Sequence, residues 1–276
     1  MKNKKTLTGR LAAAALILFI AAPALFPAGL SAADTVDALA LRDPFSGLPP
    51  AALETVPAPQ AAEALQPGVF DVPSDKVYYL SPWQVDMSQV PDAPADGSAV
   101  DKEDLAAVKR WQVERTQAQC AAANAQKDAT YDEFFGAVSP FGNPAPAEVE
   151  KIFSKVRVDA GSIDYVVKYK YKRPRPFLRD SSINPCIGRE SGYSYPSGHA
   201  TTSRVFGLIL ADLVPADAAK FMAYADQAAL NRVISGVHHP TDVEAGKTLG
   251  DAIYKALKQN GNFKTDMATL RRDLKH

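Results

Sequence analysis

From residue 101 onward, apolar positions recur at helical spacing, punctuated by prolines and small capping residues. Leu105, Val108, Trp111, Val113 and Ala118 predict one face of a helix that Asp101 caps and that runs to about Gln126. Pro146, at a first-turn position, starts a helix carrying Val149, Ile152, Phe153 and Val156. Another is predicted from about Ser162 to Lys172, stopped by Pro174 and Pro176. Pro196 precedes a strongly apolar helix to about Leu213, and Pro215-Ala216-Asp217 opens the next, to about Ser235. Pro240-Thr241-Asp242 opens the last, to about Gln259, ended by Gly261. Strand-like runs are few and no internal repeat is visible, which predicts an all-α fold, a compact helical bundle.

The first hundred residues read differently. Lys2, Lys4, Lys5 and Arg10 precede an apolar stretch from Leu11 to about Leu30, followed by the small residues Ser31, Ala32 and Ala33. Pro23 and Pro27 interrupt the stretch, and no stop-transfer charges follow it. This is the pattern of a cleaved signal peptide over residues 1–33. It implies export: a periplasmic protein where the source has an outer membrane, a secreted one otherwise. Residues 34–75, rich in Pro and Ala, read as an extended, partly disordered lead-in. Residues 76–100 place Tyr78, Tyr79 and Trp83 among turn formers, as in a loop wrapped on the body, so the helical domain is expected over 76–276. The most apolar later segment, Val205 to Val214, contains Asp212 and is shorter than the roughly 20 residues a span needs. No stable membrane insertion is expected after signal cleavage.

Charge narrows the possible partners. Thirty-one basic residues balance thirty-one acidic ones, so no global field recruits nucleic acid. Anion binding must come from a local cluster. Two cysteines, Cys120 and Cys186, are free to pair in an exported protein, although Cys120 in its Ala-rich stretch also reads as a buried thiol. Apolar helix faces permit a homo-oligomer without demanding one.

Three segments carry candidate chemistry. Lys168 to Phe177 holds five basic residues within eight positions beside a helix end. Alone it reads as a solvated basic patch; with other groups it reads as a phosphate clamp, since Arg offers paired planar donors and Lys a point charge. Gly192 to His199 ends in Pro196-Ser197-Gly198-His199 at a predicted helix start, where unpaired amides favour an anion. Asn231 to Asp242 places Arg232 near a helix end, Gly236 at a break, His238 in the bend and Asp242 in the next first turn. A carboxylate four residues from a histidine can hold one ring nitrogen and leave the other as nucleophile or base. Together the segments supply cations, helix-terminal amides, two histidines and an orienting carboxylate. Phosphoryl transfer needs those parts.

These residues resemble the type 2 phosphatidic acid phosphatase superfamily. Lys168-x6-Arg175-Pro176, then Pro196-Ser197-Gly198-His199, then Arg232-x5-His238-x3-Asp242 fit its three-part signature. The flanks Arg173-x-Arg175-Pro176-Phe177 and Ser194-Tyr195-Pro196 look most like the bacterial class A non-specific acid phosphatases. The likeness runs from roughly residue 100 to 258. Asn231 departs from it, standing where the pattern has Ser. The resemblance implies the acid phosphatase/vanadium haloperoxidase type of bundle and hydrolysis of small phosphate monoesters through a phosphohistidine. It implies His238 as nucleophile, Asp242 as its orienting group and His199 as acid and then base. Lys168, Arg175, Ser197, Gly198 and Arg232 become the phosphate-binding residues. It requires no cofactor and no metal, and it permits phosphotransfer to alcohols. Rival readings are a vanadium-dependent haloperoxidase, which shares the motifs because vanadate mimics phosphate, and a non-catalytic phosphate-binding protein. A membrane lipid phosphatase shares them too but needs several spanning helices. His239 is left without a role and is expected to face solvent.

Overall fold

Caps and prolines cut the chain into helices, at places that only partly match the sequence pattern. The computed structural model describes Phe70 and residues 74–274, all within one unit, Pro49–His276. The signal peptide over 1–33, almost all of the lead-in over 34–75, and His276 lie outside the described residues. Every regular element among the described residues is helical, so the all-α expectation holds.

The helix expected from Asp101 to Gln126 is two helices, α1 (Ala99–Glu114) and α2 (Gln117–Asn124). Ser98, not Asp101, caps α1, its side chain accepting from the Asp101 amide. Arg115 is extended, and Thr116 opens a new capping box with Gln119. The Arg115 guanidinium donates to the carbonyls of Ile234 and Asn184, which fixes the break. Val113, expected inside, is 85% exposed; Asp101, Asp104, Ala107 and Val108 form the buried face instead. A short helix, α3 (Tyr131–Phe135), was not legible.

The two helices expected between Pro146 and Lys172 are one, α4 (Ala147–Tyr171). Its buried stripe runs unbroken from Val149 through Ile152, Val156, Ala160 and Ile163 to Val167, so nothing ends the helix at its middle. Asp159 on α4 accepts the amides of Tyr78, Tyr79 and Leu80 at 2.9, 2.7 and 3.0 Å and fastens the preceding segment. Tyr79 is buried there, whereas Trp83, expected as an anchor, is 84% exposed on the 3-10 turn Pro82–Gln84. Lys172 ends α4 in the left-handed region, followed by α5 (Pro176–Arg179).

The centre of the bundle is α6 (Gly198–Leu213), packed against α4, α7 (Ala218–Ile234) and α8 (Pro240–Leu257). Side chains at Gly246 and Gly250 of α8 would drive into the Ser197 carbonyl at 2.6 Å and the Arg204 Cβ at 2.8 Å. Their absence lets α8 lie directly on α6. Gly236, at φ +84°, makes the turn between α7 and α8. Tyr131, Phe134, Phe153 and Phe206 interlock in the core, the Tyr131 and Phe153 rings 4.2 Å apart. Gly261 does not end the bundle: Asn260 caps a further helix, α9 (Gly261–Asp273), that buries Phe263, Met267 and Leu270. Cys120 and Cys186 form a disulfide, tying α2 to the loop between α5 and α6. No helix among the described residues is long and apolar enough to cross a membrane.

Candidate active site

Three helix ends meet at one buried point: the end of α4, the start of α6 and the α7–α8 turn. Their register carries the sequence-predicted residues there. Lys168, in the last turn of α4, donates to the carbonyls of Tyr193 and Pro196, each at 2.7 Å, with Asp164 at 3.6 Å. It is thus held to the loop that delivers α6. Of the five basic residues expected as a clamp, only Lys168 and Arg175 reach this point. Lys170 lies outside against Tyr171 and Asp92. Arg173 goes instead to Asp101, Asp104 and Asp242, at 2.9, 2.7 and 2.7 Å.

Arg175 is almost wholly buried. Its Nε donates to Ser191 O at 3.0 Å, and its Nη1 to Val237 O and to His238 Nε2, both at 3.2 Å. Arg232, on the last turn of α7, accepts the amides of Val237 and His238 on its carbonyl. That hairpin places His238 beside the guanidinium groups. Arg175 Nη2 and Arg232 Nη2 reach opposite oxygens of one carboxylate, Glu190, at 3.0 and 2.5 Å. Arg232 Nε and Nη1 are buried and have no hydrogen-bond partner among the described residues.

An arginine only donates, so His238 Nε2 is the acceptor and its proton sits on Nδ1. Nδ1 has no hydrogen-bond partner among the described residues; the nearest carboxylate oxygen, Asp242 Oδ2, is 3.6 Å away. Asp242 is closer to other donors. Oδ2 accepts from the His239 amide at 2.7 Å, His239 Nδ1 at 2.8 Å and Ser194 Oγ, while Oδ1 accepts from Arg173. His239, expected to face solvent, is therefore fully buried and is the imidazole that Asp242 holds most tightly. The reason is local: the carboxylate reaches back to the amide at the start of its own helix, and the His239 ring lies on that path.

Burial, then the charges of Arg175 and Lys168, pushes His238 down to about 3, with Asp242 opposing. It is neutral at mildly acidic pH, the state a nitrogen nucleophile needs. His199, in the first turn of α6, points Nε2 at the carbonyls of Gln126 and Lys127, 3.0 and 3.2 Å away. Carbonyls only accept, so Nε2 carries the proton and exchange with a ligand falls to Nδ1. Burial, then Arg232, holds His199 well below its usual range, with Glu190 acting against them. Asp242 stays ionised: burial works to raise it, but His239, His238 and Arg173 hold it well below the carboxylate range. Ser197 caps α6, and its amide donates to the Asp242 carbonyl at 2.9 Å, locking the two helix starts together.

Sequence reasoning missed several residues. Glu190 lies between two motifs in a loop with no periodic signal. Arg173 belongs to a recognised run, but its three carboxylates come from distant segments. Phe70, inside the presumed lead-in, packs edge-on to His199 with centroids 5.4 Å apart, in the space a Gly198 side chain would take. Asn231 donates to Gln126 Oε1 at 2.8 Å, supporting the residue whose carbonyl receives His199. That contact gives the departure from the expected Ser a structural use.

Fold and site together define a helical protein in which two buried arginines share one carboxylate, with His238 and His199 buried nearby. Residues 158–265 match the family model described as the PAP2 superfamily. It is 32% identical over 114 residues to a protein named acid phosphatase from Zymomonas mobilis, covering 39% of this chain and 42% of that one. It is 26% identical over 219 residues to a non-specific acid phosphatase from Providencia stuartii, covering 74% and 87%. Among solved structures, a bacterial vanadium-dependent iodoperoxidase superposes with a TM-score of 0.48 at 16% identity, covering 74% of this chain and 62% of that one.

Proposed function

We propose that the chain is an exported phosphatase that cleaves phosphate monoesters through a phosphohistidine on His238. The observation that carries this reading is the shared carboxylate. Two guanidinium groups converge on one two-oxygen anion, and His238 Nε2 lies 3.2 Å from one of them. A phosphoryl group seated on the same donors brings its phosphorus within reach of that nitrogen. The acid phosphatase names of its relatives support the reaction class.

In this reading Lys168, Arg175, Arg232, Ser197 and the Gly198 amide take the phosphoryl oxygens, and α6 directs its N-terminus at them. His238 Nε2 bonds to phosphorus as the ester P–O bond breaks, and the proton on His199 Nδ1 goes to the leaving oxygen. His199 Nδ1 then takes a proton from water, the water oxygen bonds to phosphorus, and the N–P bond breaks. Asp242 sets His238 through its charge at 3.6 Å and through the turn it caps. Free His199 holds its proton poorly, so the negative charge of bound substrate must supply the acid form. The cationic groups neutralise the phosphoryl oxygens, so no metal enters the scheme. An alcohol in place of water gives phosphotransfer. The helical domain of this enzyme spans 76–276, after the signal peptide over 1–33 and the lead-in over 34–75.

The test is hydrolysis of p-nitrophenyl phosphate by wild type, His238→Ala and His199→Ala, with and without chelator. The expected result is near-abolition in the first variant, a loss of about 10²–10⁴ in the second, and no effect of chelator. Full activity in His238→Ala, or loss of activity on chelation, would overturn the reading.

A further inference from the structure

We infer that Glu190 is an affinity-setting residue of the anion seat: its carboxylate holds the two clamp arginines and competes with the substrate's phosphoryl group for them. This rests on the phosphate-site reading above. Glu190 Oε2 pairs with Arg175 at 3.0 Å and Oε1 with Arg232 at 2.5 Å. Both arginine side chains are at least 98% buried, so these are strong charge-assisted contacts. Glu190 itself sits on a loop and is 16% exposed, more open to solvent than either arginine. The loop is pinned on either side, by the Cys186 disulfide and by Ser191 O accepting from Arg175 Nε. The backbone therefore keeps the carboxylate within reach while its side chain can rotate to solvent.

Glu190 is a partial occupant. Burial works to raise its carboxyl, but Arg232 and Arg175 hold it ionised, well below the usual range. It nevertheless leaves Arg232 Nε and Nη1 without partners among the described residues. A carboxylate has two oxygens and one charge. A phosphoryl group brings three oxygens and up to two charges, enough to engage the donors that Glu190 leaves. Buried donors left unsatisfied are costly, so phosphate displaces the carboxylate. The same carboxylate reclaims the arginines after turnover and helps expel inorganic phosphate.

The alternative is that Glu190 braces the arginines and phosphate binds beside it. The two predict opposite signs. Titration calorimetry of inorganic phosphate into the full-length protein, wild type against Glu190→Gln and Glu190→Ala, separates them. Competition predicts binding at least about tenfold tighter in both variants, with a matching fall in the phosphate inhibition constant. Equal or weaker binding in the variants, with binding retained in wild type, would overturn the competition and leave the phosphate site standing. No phosphate binding by any of the three proteins would overturn both. If the variants do not fold, a wild-type structure at saturating tungstate decides: the carboxylate rotates off the arginines under competition and stays on them under bracing.

Discussion

At His238 burial and cationic neighbours act against one nearby carboxylate, and burial wins. His238 and His199 therefore bind fewer protons folded than unfolded, where both titrate near 6.5. The sign follows: below about 6.5 the unfolded chain takes up protons that the folded one refuses, so stability falls as pH drops toward about 3. Asp242 and Glu190 are likewise held below their unfolded values, so their contribution has the same sign, but it stays intact until pH falls into the ordinary carboxylate range and is lost only below that. Between about pH 6.5 and 4.5 the histidines dominate. His238→Asn is expected to flatten the dependence of the melting temperature on pH in that window; an unchanged slope would show that His238 is not buried neutral. At Arg173, three buried carboxylates meet one guanidinium, and Asp101 pairs with Arg179 as well. Arg173→Met is expected to cost about 3–5 kcal/mol in denaturant unfolding, because it removes the only arginine paired with the buried Asp104 and Asp242 among the described residues. The motif residues were legible because each lies in a short run whose chemistry is local. Glu190 and the carboxylates of Arg173 were not, because partners brought together by folding leave no spacing to read.

Helix ends decide most of the differences between pattern and structure. The sequence shows an apolar repeat across residues 101–126, but the Thr116–Gln119 box and the carbonyl contacts of Arg115 cut it. Gly261 looked like a terminator, yet Asn260 caps a new helix there by accepting from the Phe263 amide at 3.0 Å. Asn260→Ala should therefore cost about 1 kcal/mol, read from the urea midpoint. The side chain of Asn260 also donates to Tyr79 O at 2.7 Å, so a somewhat larger loss fits and no loss contradicts the cap. The Cys120–Cys186 bridge, left open by the sequence, closes a separation of 66 residues. On the chain-entropy argument, the double Cys→Ser variant is expected to lose about 4 kcal/mol of stability. It should also lower activity, because the bridge anchors the loop that carries Glu190 and Ser191. A variant as stable as wild type would mean that the loop is held by other contacts.

Across the whole molecule, the site joins parts of α4, α6, α7 and α8 that are far apart in sequence, so it exists only when the bundle is assembled. An anion that binds this assembled state must stabilise it. Inorganic phosphate at about 100 times its dissociation constant is expected to add about 2.7 kcal/mol and raise the melting temperature, while chloride at equal ionic strength does not. The helical class was readable from proline placement and apolar spacing. The packing of α8 on α6 was not, since it depends on Gly246 and Gly250 meeting one particular stretch of backbone. The proposed covalent step is tested most directly by trapping. Wild-type protein mixed briefly with a monoester carrying labelled phosphoryl, then denatured in alkali, should carry label on His238, and His238→Ala should carry none. Label found on another residue, or turnover by wild type with no label trapped at any time, would contradict the account.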